Sequence, residues 1–325
     1  MNEPERTLAN TAGIALSTPT ISVVIPTYRH RDTIVAALES VWAQTVADYE
    51  IIVVNDGSPD DTAEVLRPFM GRIRYVEQPN AGQAAARNRG IEMARGDFIA
   101  PLDDDDTWPA DKLAWQVEAM HERPQVVLVY GEDERVDSNG QRLPPTPRGG
   151  YKRPSGDVYE DFLEGCWIAS PGQTLMRRSA LQRVGGFDAA IWGSDDWELY
   201  MRLARLGPFH YENRVALRYR VHGGNASGDV LRHLAGHEAA ARKHPAHGRR
   251  AWRRWRNAEK FFVTPLMRLS HERRVAGDFA TALRAQRAAL RLDPTLLLRG
   301  EWMVPLIRNL LRRPVRNSSM PPTRR

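Results

Sequence analysis

The stretch ISVVIPTYRHRDTIVAALESVWAQTVADYEIIVVNDGS, residues 21–58, decides the fold. It opens on a β-branched run at 21–25, carries apolar residues at helical spacing through 31–43, and returns to a second β-branched run at 50–55. Both runs have the length and the Val/Ile content of strands. A helix between two strands at this spacing is a crossover, which sets the strands parallel. Outward from it the unit repeats, with a helix at 60–69, a strand at 73–77, a helix at 82–94 and a strand at 97–102. The expected fold is α/β, a mostly parallel sheet flanked by helices, with ligands at the carboxyl ends of the strands. Those ends carry polar clusters in turn: PTYRH, NDGSPDD, QPNAGQAAARNRG and DDDD.

The last cluster, Asp103 to Asp106, follows the apolar run DFIAPL. Four adjacent carboxylates repel one another and cannot all be buried without partners. They form either a solvated loop or a cation site. On an extended backbone Asp103 and Asp105 point the same way and Asp104 points elsewhere.

After Pro109 the pattern changes to a helix at 110–122, a strand at 126–130 and a Pro- and Gly-rich loop at 138–156, which is long enough to cover a substrate. A short strand, QTLMRR, precedes the helix SALQRVGGFD with its glycine turn. An amphipathic helix, SDDWELYMRLARLG, is expected to end at Gly207, and RVALRYRVHGGNAS supplies a strand and a glycine loop. From about 231 the text is helical and basic, and residues 277–294 have the cadence of one tetratricopeptide-like helix. A solenoid needs about three such repeats, so a local helix pair is expected.

Charge divides the chain. Residues 1–231 hold 24 Lys and Arg against 34 Asp and Glu, a net of −10, whereas residues 232–325 hold 22 against 6, a net of +16. The single cysteine, Cys166, allows no internal disulfide and reads as a small buried residue, which points to a reducing compartment. The first 19 residues read as a disordered leader with no apolar core for a signal peptide, and no window approaches the ~18 apolar residues of a membrane span. A cytoplasmic protein is expected.

In order, VVIPTY, VVNDGSPDDT, NAGQAAARNRG, GDFIAPLDDDDTWPADKL, VGGFD and SDDWELYMRLA resemble the successive motifs of family 2 glycosyltransferases with the GT-A fold, from about Ile21 to Ser227. The resemblance implies an inverting transferase that takes a nucleotide-diphosphate sugar, a UDP-sugar first, with Mn2+ or Mg2+, and serves glycan, polysaccharide or glycolipid synthesis. It makes 20–230 the GT-A domain, with a nucleotide-binding half at 20–107 and an acceptor half at 108–230, followed by a basic helical region at 231–325. It places Pro26, Thr27 and Tyr28 around the base, Asp56 at the uracil edge and Arg87 at the nucleotide end. The family most often has Asn after that tyrosine, where this chain has Arg29, and often Asp where it has Asn55. Asp103, Asp104 and Asp105 overlay the Asp-X-Asp motif, with Asp105 expected on the metal and Asp103 on the ribose or the metal. Asp106 is left as outer support or as the cap of the helix near Pro109. His222 falls where several relatives place a late metal or diphosphate contact, and Asp196 overlays the catalytic base, with Asp195 beside it.

The chemistry suits these residue types. Hard divalent cations take one or two carboxylates and leave positions for phosphate oxygens. An acceptor hydroxyl must lose its proton as it attacks, and two adjacent carboxylates push one pKa up, as a base requires. Ser194, Asp195 and Asp196 also suit a helix N-cap, and Asp56 a tight turn with Gly57 and Ser58. In the tail, RRAWRRWRNAEKFFVTPLMRL and EWMVPLIRNLLRRPVR mix basic, aromatic and apolar residues, the composition of a peripheral contact with the inner face of an anionic membrane. Packing on the catalytic domain or self-association is the other reading, and nothing besides charge suggests nucleic acid. A non-catalytic sugar-nucleotide module would lack Asp105 or Asp196, and both are present. A nucleotidyltransferase would carry a Gly- and Arg-rich loop where PTYRHRD stands.

Overall fold

A computed structural model of the chain describes residues 19–144, 152–223, 225 and 228–298. Strand β1 (Ile21–Thr27) pairs in parallel with β2 (Tyr49–Asn55) on one side and β4 (Phe98–Pro101) on the other, and β3 (Arg74–Glu77) adds in parallel to β2. The crossovers are α1 (Ile34–Trp42), α2 (Thr62–Leu66) and α3 (Gln83–Met93). Helix α2 is shorter than the expected 60–69. Pro68 cannot donate a helical hydrogen bond, and the chain tightens to a 3-10 turn at Arg67–Phe69.

Beyond β4 come β6 (Thr174–Arg177), β5 (Leu128–Val136) and β7 (Phe209–Arg220), giving the order β3-β2-β1-β4-β6-β5-β7. β6 runs antiparallel to both neighbours, while β5 and β7 are parallel, so the seven-stranded sheet is mixed and mostly parallel. Helices α4 (Lys112–Glu122), α5 (Tyr159–Phe162), α6 (Arg178–Val184) and α7 (Asp195–Leu203) belong to this half, and α8 (Val230–Lys243), α9 (Gly248–Val275) and α10 (Phe279–Leu292) follow it.

The strand period sorts the core. Ile21, Val23 and Ile25 pack with Ile34, Leu38 and Val41 of α1 on one face. Val24, Ile52 and Val54 pack on the other with Ala86 and Ile91 of α3 and Leu199 of α7. A third cluster, among it Leu234, Phe262, Leu266 and Ala289, holds α8, α9 and α10 together. The described part of the tail is thus helical and self-packed, and α9 with α10 is the expected pair. It also joins the sheet: Ala240 of α8 enters the second cluster, and the buried Arg254 of α9 donates to the carbonyl of Leu163.

Three expectations are corrected here. Helix α7 stops at Leu203 and not at Gly207. A Cβ at Gly207 would lie 2.8 Å from Val127 Cγ1 and 2.9 Å from the Gln125 carbonyl, so close approach to the start of β5 is what requires glycine there. Helix α4 is preceded by Asp111, so Asp106 caps nothing. At α7 neither the Ser194 nor the Asp195 side chain accepts an N-cap hydrogen bond from the backbone. Asp195 is drawn away to Arg87 instead. The long loop begins as an extension of β5 to Val136 and a turn held by Asp137, whose Oδ1 accepts from the amides of Asn139 and Gln141 at 2.9 Å. Its middle, 145–151, lies outside the described residues, as do 1–18 of the leader, positions 224, 226 and 227 of the glycine loop and everything after 298, EWMVPLIRNLLRRPVR included.

Candidate active site

The carboxyl ends of β1, β2 and β4 meet the start of α7 around a cleft of about 600 Å3. Pro26, Thr27, Tyr28, Asp56, Arg87, Asp103, Asp104, Asp105, Asp195 and Asp196 all line it. The sheet register explains the meeting of the first loops. The Leu102 amide donates to the Val24 carbonyl at 3.0 Å, so the acidic run leaves β4 alongside the turn that leaves β1.

Each aspartate of the run has its own partners. Asp103 accepts from Arg87 Nη2 at 2.6 Å and from Ser170 Oγ at 3.2 Å. Asp104 accepts from the Tyr28 amide at 3.2 Å and pairs with His30 Nδ1 at 2.6 Å. Asp105 pairs with His222 Nε2 at 2.9 Å. Asp106 accepts from the Arg220 amide at 2.8 Å, tying the run to the end of β7. The alternation expected of an extended backbone does not apply, because the run is a turn at Asp104 and Asp105 in which the Asp106 amide donates to the Asp103 carbonyl at 3.1 Å.

Asp56 is buried. Its carboxylate accepts from Gln78 Nε2 at 2.8 Å and from the amides of Ala81 and Gly82 at 2.9 and 2.8 Å. Three of about four acceptor sites of a carboxylate are thereby used to hold the loop before α3. Arg87, also buried, bridges Asp103 and Asp195, the latter through Nη1 at 3.1 Å. These two carboxylates hold its guanidinium fully protonated. Burial pushes the carboxyl of Asp195 up, and Arg87 opposes the push. Asp196 is half-buried, and Oδ1 accepts from the Trp197 amide at 2.6 Å. Burial first, and the neighbouring charge of Asp195 second, push its pKa up to about 7.

One grouping has the donors of a metal site. His30, Asp105 and His222 each bring one ligand atom to within 4.8 Å of the others. The Asp104 contact orients the His30 ring as a carboxylate partner does for a metal-bound imidazole, and raises its pKa to about 9. Asp103 is not in this group.

The profile of glycosyl transferase family 2 matches residues 22–185, half of the chain. The chain belongs to this family. The chondroitin synthase of Escherichia coli is 29% identical over 213 residues, covering 64% of this chain and 30% of that protein. An uncharacterized glycosyltransferase of Rickettsia prowazekii is 27% identical over 229 residues, covering 68% and 70%. The chain spans roughly a third of the length of the first relatives it matches. Two solved structures share the fold. Staphylococcus aureus TarS 1-349 in complex with UDP-GlcNAc has a TM-score of 0.58 at 16% identity over 90% of this chain and 89% of that one. The Pyrobaculum calidifontis mannosyltransferase PcManGT in complex with GDP-Man and Mn2+ has a TM-score of 0.58 at 21% identity over 91% and 86%. The fold is GT-A.

As a family 2 glycosyltransferase the chain shows what its motifs left out. His30 stands alone in PTYRH and carries no motif of its own, and the convergence of that loop on DDDD is the signal that places it. Ser170, Trp192, Arg232 and His233 also line the cleft, the last two from α8. Cys166 donates to the Ile168 carbonyl, and burial pushes its thiol well up, which suits a packed residue and not a nucleophile.

Proposed function

We propose that this chain is an inverting glycosyltransferase that moves a sugar from a nucleotide diphosphate, a UDP-sugar first, to a hydroxyl of a glycan, lipid-linked or other acceptor. The observation that carries the reading is Arg87, one buried cation shared by Asp103 of the acidic run and Asp195 beside Asp196. It locks the donor motif and the base to one geometry. Nucleotide sugars in the complexes of TarS and PcManGT support the donor class. In this reading Pro26, Thr27 and Tyr28 wrap the base, and Asp56 keeps one acceptor site for it while fixing the loop at 78–82.

Asp196 accepts the proton of the acceptor hydroxyl as that oxygen attacks the anomeric carbon from the face opposite the diphosphate. A single displacement of this kind inverts the centre. His30, Asp105 and His222 would hold a divalent cation, which would supply positive charge for a departing diphosphate. Two imidazoles and one carboxylate suit Mn2+ better than Mg2+, which prefers all-oxygen sets. Asp103 serves the ribose side, held by Arg87 and Ser170.

In this scheme 20–230 is the catalytic unit, with its halves meeting at 107/108, and 231–325 is a region for peripheral contact with the inner face of a membrane. The cut at 230/231 falls one residue inside α8. Among the described residues no helix is long and apolar enough to cross a membrane.

Asp196→Asn should lower transfer by about 10²- to 10⁴-fold, the usual worth of a general base, and leave donor binding nearly intact. Asp105→Ala should weaken donor binding only where Mn2+ is present. Calorimetric titration with UDP-sugars and GDP-sugars, run beside turnover, reads both. Wild-type turnover in either variant overturns the assignment.

A further inference from the structure

A second cavity of about 310 Å3 opens beside the donor cleft and shares Gly82, Gln83, Trp192 and Arg232 with it. Its character is opposite to that of the first. The donor cleft is lined by six aspartates, whereas the second cavity has no acidic side chain, a floor of alanine methyl groups from the loop before α7 and from α8, and Arg232 as its charged residue. None of the β1-loop residues or the acidic run reaches it, and the one motif it touches is NAGQAAARNRG, whose Ala81 to Ala84 form one side. Trp192 stands between the two spaces. The guanidinium of Arg232 lies 4.4 Å from the centre of the indole, and among the described residues no carboxylate comes within 4.0 Å of it.

The wall between the cavities is built and not incidental. At Gly236 of α8 a Cβ would come 1.9 Å from the Trp192 carbonyl oxygen, so the helix is pressed against this loop where only glycine fits. An indole face, a methyl floor and one accessible guanidinium make a saccharide site with a preference for negative charge, because aromatic and methyl surfaces accept the C–H face of a sugar and guanidinium binds carboxylate or phosphate. A sugar seated there reaches the first cavity past Trp192 and Gly193, residues that line it together with Asp196.

We propose that this second cavity is the acceptor subsite and that its occupant is an anionic saccharide, carrying a carboxylate or a phosphate that Arg232 binds. The proposal rests on the glycosyl-transfer reading and adds to it the acceptor's chemical class. It also gives the C-terminal region a share in substrate choice, since α8 supplies Arg232.

The test is a ligand-observed NMR titration of the full chain with methyl β-glucuronide, glycerol 3-phosphate and neutral methyl β-glucoside, at low and high salt. At least one anion should bind about fivefold or more tighter than the glucoside, as a charge-assisted hydrogen bond warrants, and salt should narrow the gap. Arg232→Gln should erase the preference, and Arg232→Lys should keep part of it. Equal affinity for charged and neutral probes overturns the proposal. So does an Arg232→Gln variant that keeps the preference, or one that weakens UDP and GDP instead and thereby puts Arg232 on the donor's diphosphate. Release of nucleotide from UDP- and GDP-sugars by the wild-type chain, with the three probes present as hydroxyl acceptors, reports on the transfer reading separately. Release with no anion preference overturns the subsite alone, and no release with an Arg232-dependent preference overturns transfer while leaving a binding site for anionic saccharides.

Discussion

Arg29 follows Tyr28 with a φ of +62°, the one non-glycine residue in the left-handed region among those described. That conformation brings Cβ close to the following carbonyl, and Asn tolerates it best among the larger residues because its side chain can bond locally. The departure noted in the sequence, Arg29 where the family most often has Asn, is therefore a backbone matter as well as a contact matter. Arg29→Asn should stabilise the fold by about 0.5–1 kcal/mol, read as a higher midpoint in thermal denaturation. Asp196 gives two further expectations. Its carboxyl stands at about 7 instead of 3.8, and a base in the proposed role must be ionised, so kcat/KM should rise with pH through about 7 to a plateau. The same shift acts on stability with the opposite sense. The folded state holds this proton more tightly than the unfolded state, so the stability it confers is full below about pH 4 and is lost as pH rises through 7. Asp196→Asn should match wild type near pH 4 and exceed it at pH 8, by about 4 kcal/mol at most. Denaturant titrations at the two pH values check this, and an Asn variant no more stable at pH 8 would place the carboxylate in water.

The elements of the sheet were legible because their signal is local. Ile21–Ile25 and Ile51–Val54 carry enough β-branched surface to be strands in any context, and the polar residues after them have nowhere to lie but the sheet edge. What could not be read were choices made across space. Asp103 and Asp105 are equivalent in the sequence, and only the approach of Arg87 from α3 and His222 from beyond β7 separates them. Gly207 has the look of a helix stop, and its contact with Val127 is invisible until β5 is set beside it. Gly90 is a similar case with a measurable consequence. Its missing Cβ lets α3 lie on β1, since a methyl there would come 2.3 Å from Val24 Cγ1. Helix propensity alone favours Gly90→Ala by about 1 kcal/mol, while overpacking a filled core costs about 1–3 kcal/mol. Packing should win, because Val24 is itself buried. The variant should unfold at lower denaturant and bind donor less well, since Arg87 rides on the same helix. A more stable Ala variant would show that Val24 turns aside freely.

Across the whole molecule, the charge asymmetry of the sequence resolves into two faces of the described part of the basic region. One is internal. Arg250 and Arg253 pair with Glu160 and Glu164 at 2.6 and 2.8 Å, and His237 stacks on Trp197 with ring centres 4.4 Å apart, so α8 and α9 pack against α5, α7 and the turn after α5. The other faces outward. Trp252, Trp255 and Phe261 are 50%, 41% and 57% exposed on α9, among the exposed basic residues Arg249, Arg256 and Lys260. Among the described residues no carboxylate pairs with Arg249, Arg256 or Lys260, and exposed indoles beside such cations are what an anionic bilayer surface binds, each cation being worth about 1 kcal/mol there. The ring of Phe261 packs edge-on to His233, which lines the donor cleft, so a membrane against this face would lie beside the cleft mouth. Deleting the region would strip Ala240 and Arg254 from the core, so point changes are the cleaner test. Flotation with vesicles of phosphatidylcholine plus phosphatidylglycerol should recover the wild-type chain, and vesicles of phosphatidylcholine alone should not. Arg249→Gln, Arg256→Gln and Lys260→Gln together should weaken partition by about 100-fold, three charges' worth. Trp252→Ser with Trp255→Ser should weaken it on its own, because the indoles anchor at the headgroup level. If both multiple variants float as wild type does, this face of α9 is not what meets the membrane.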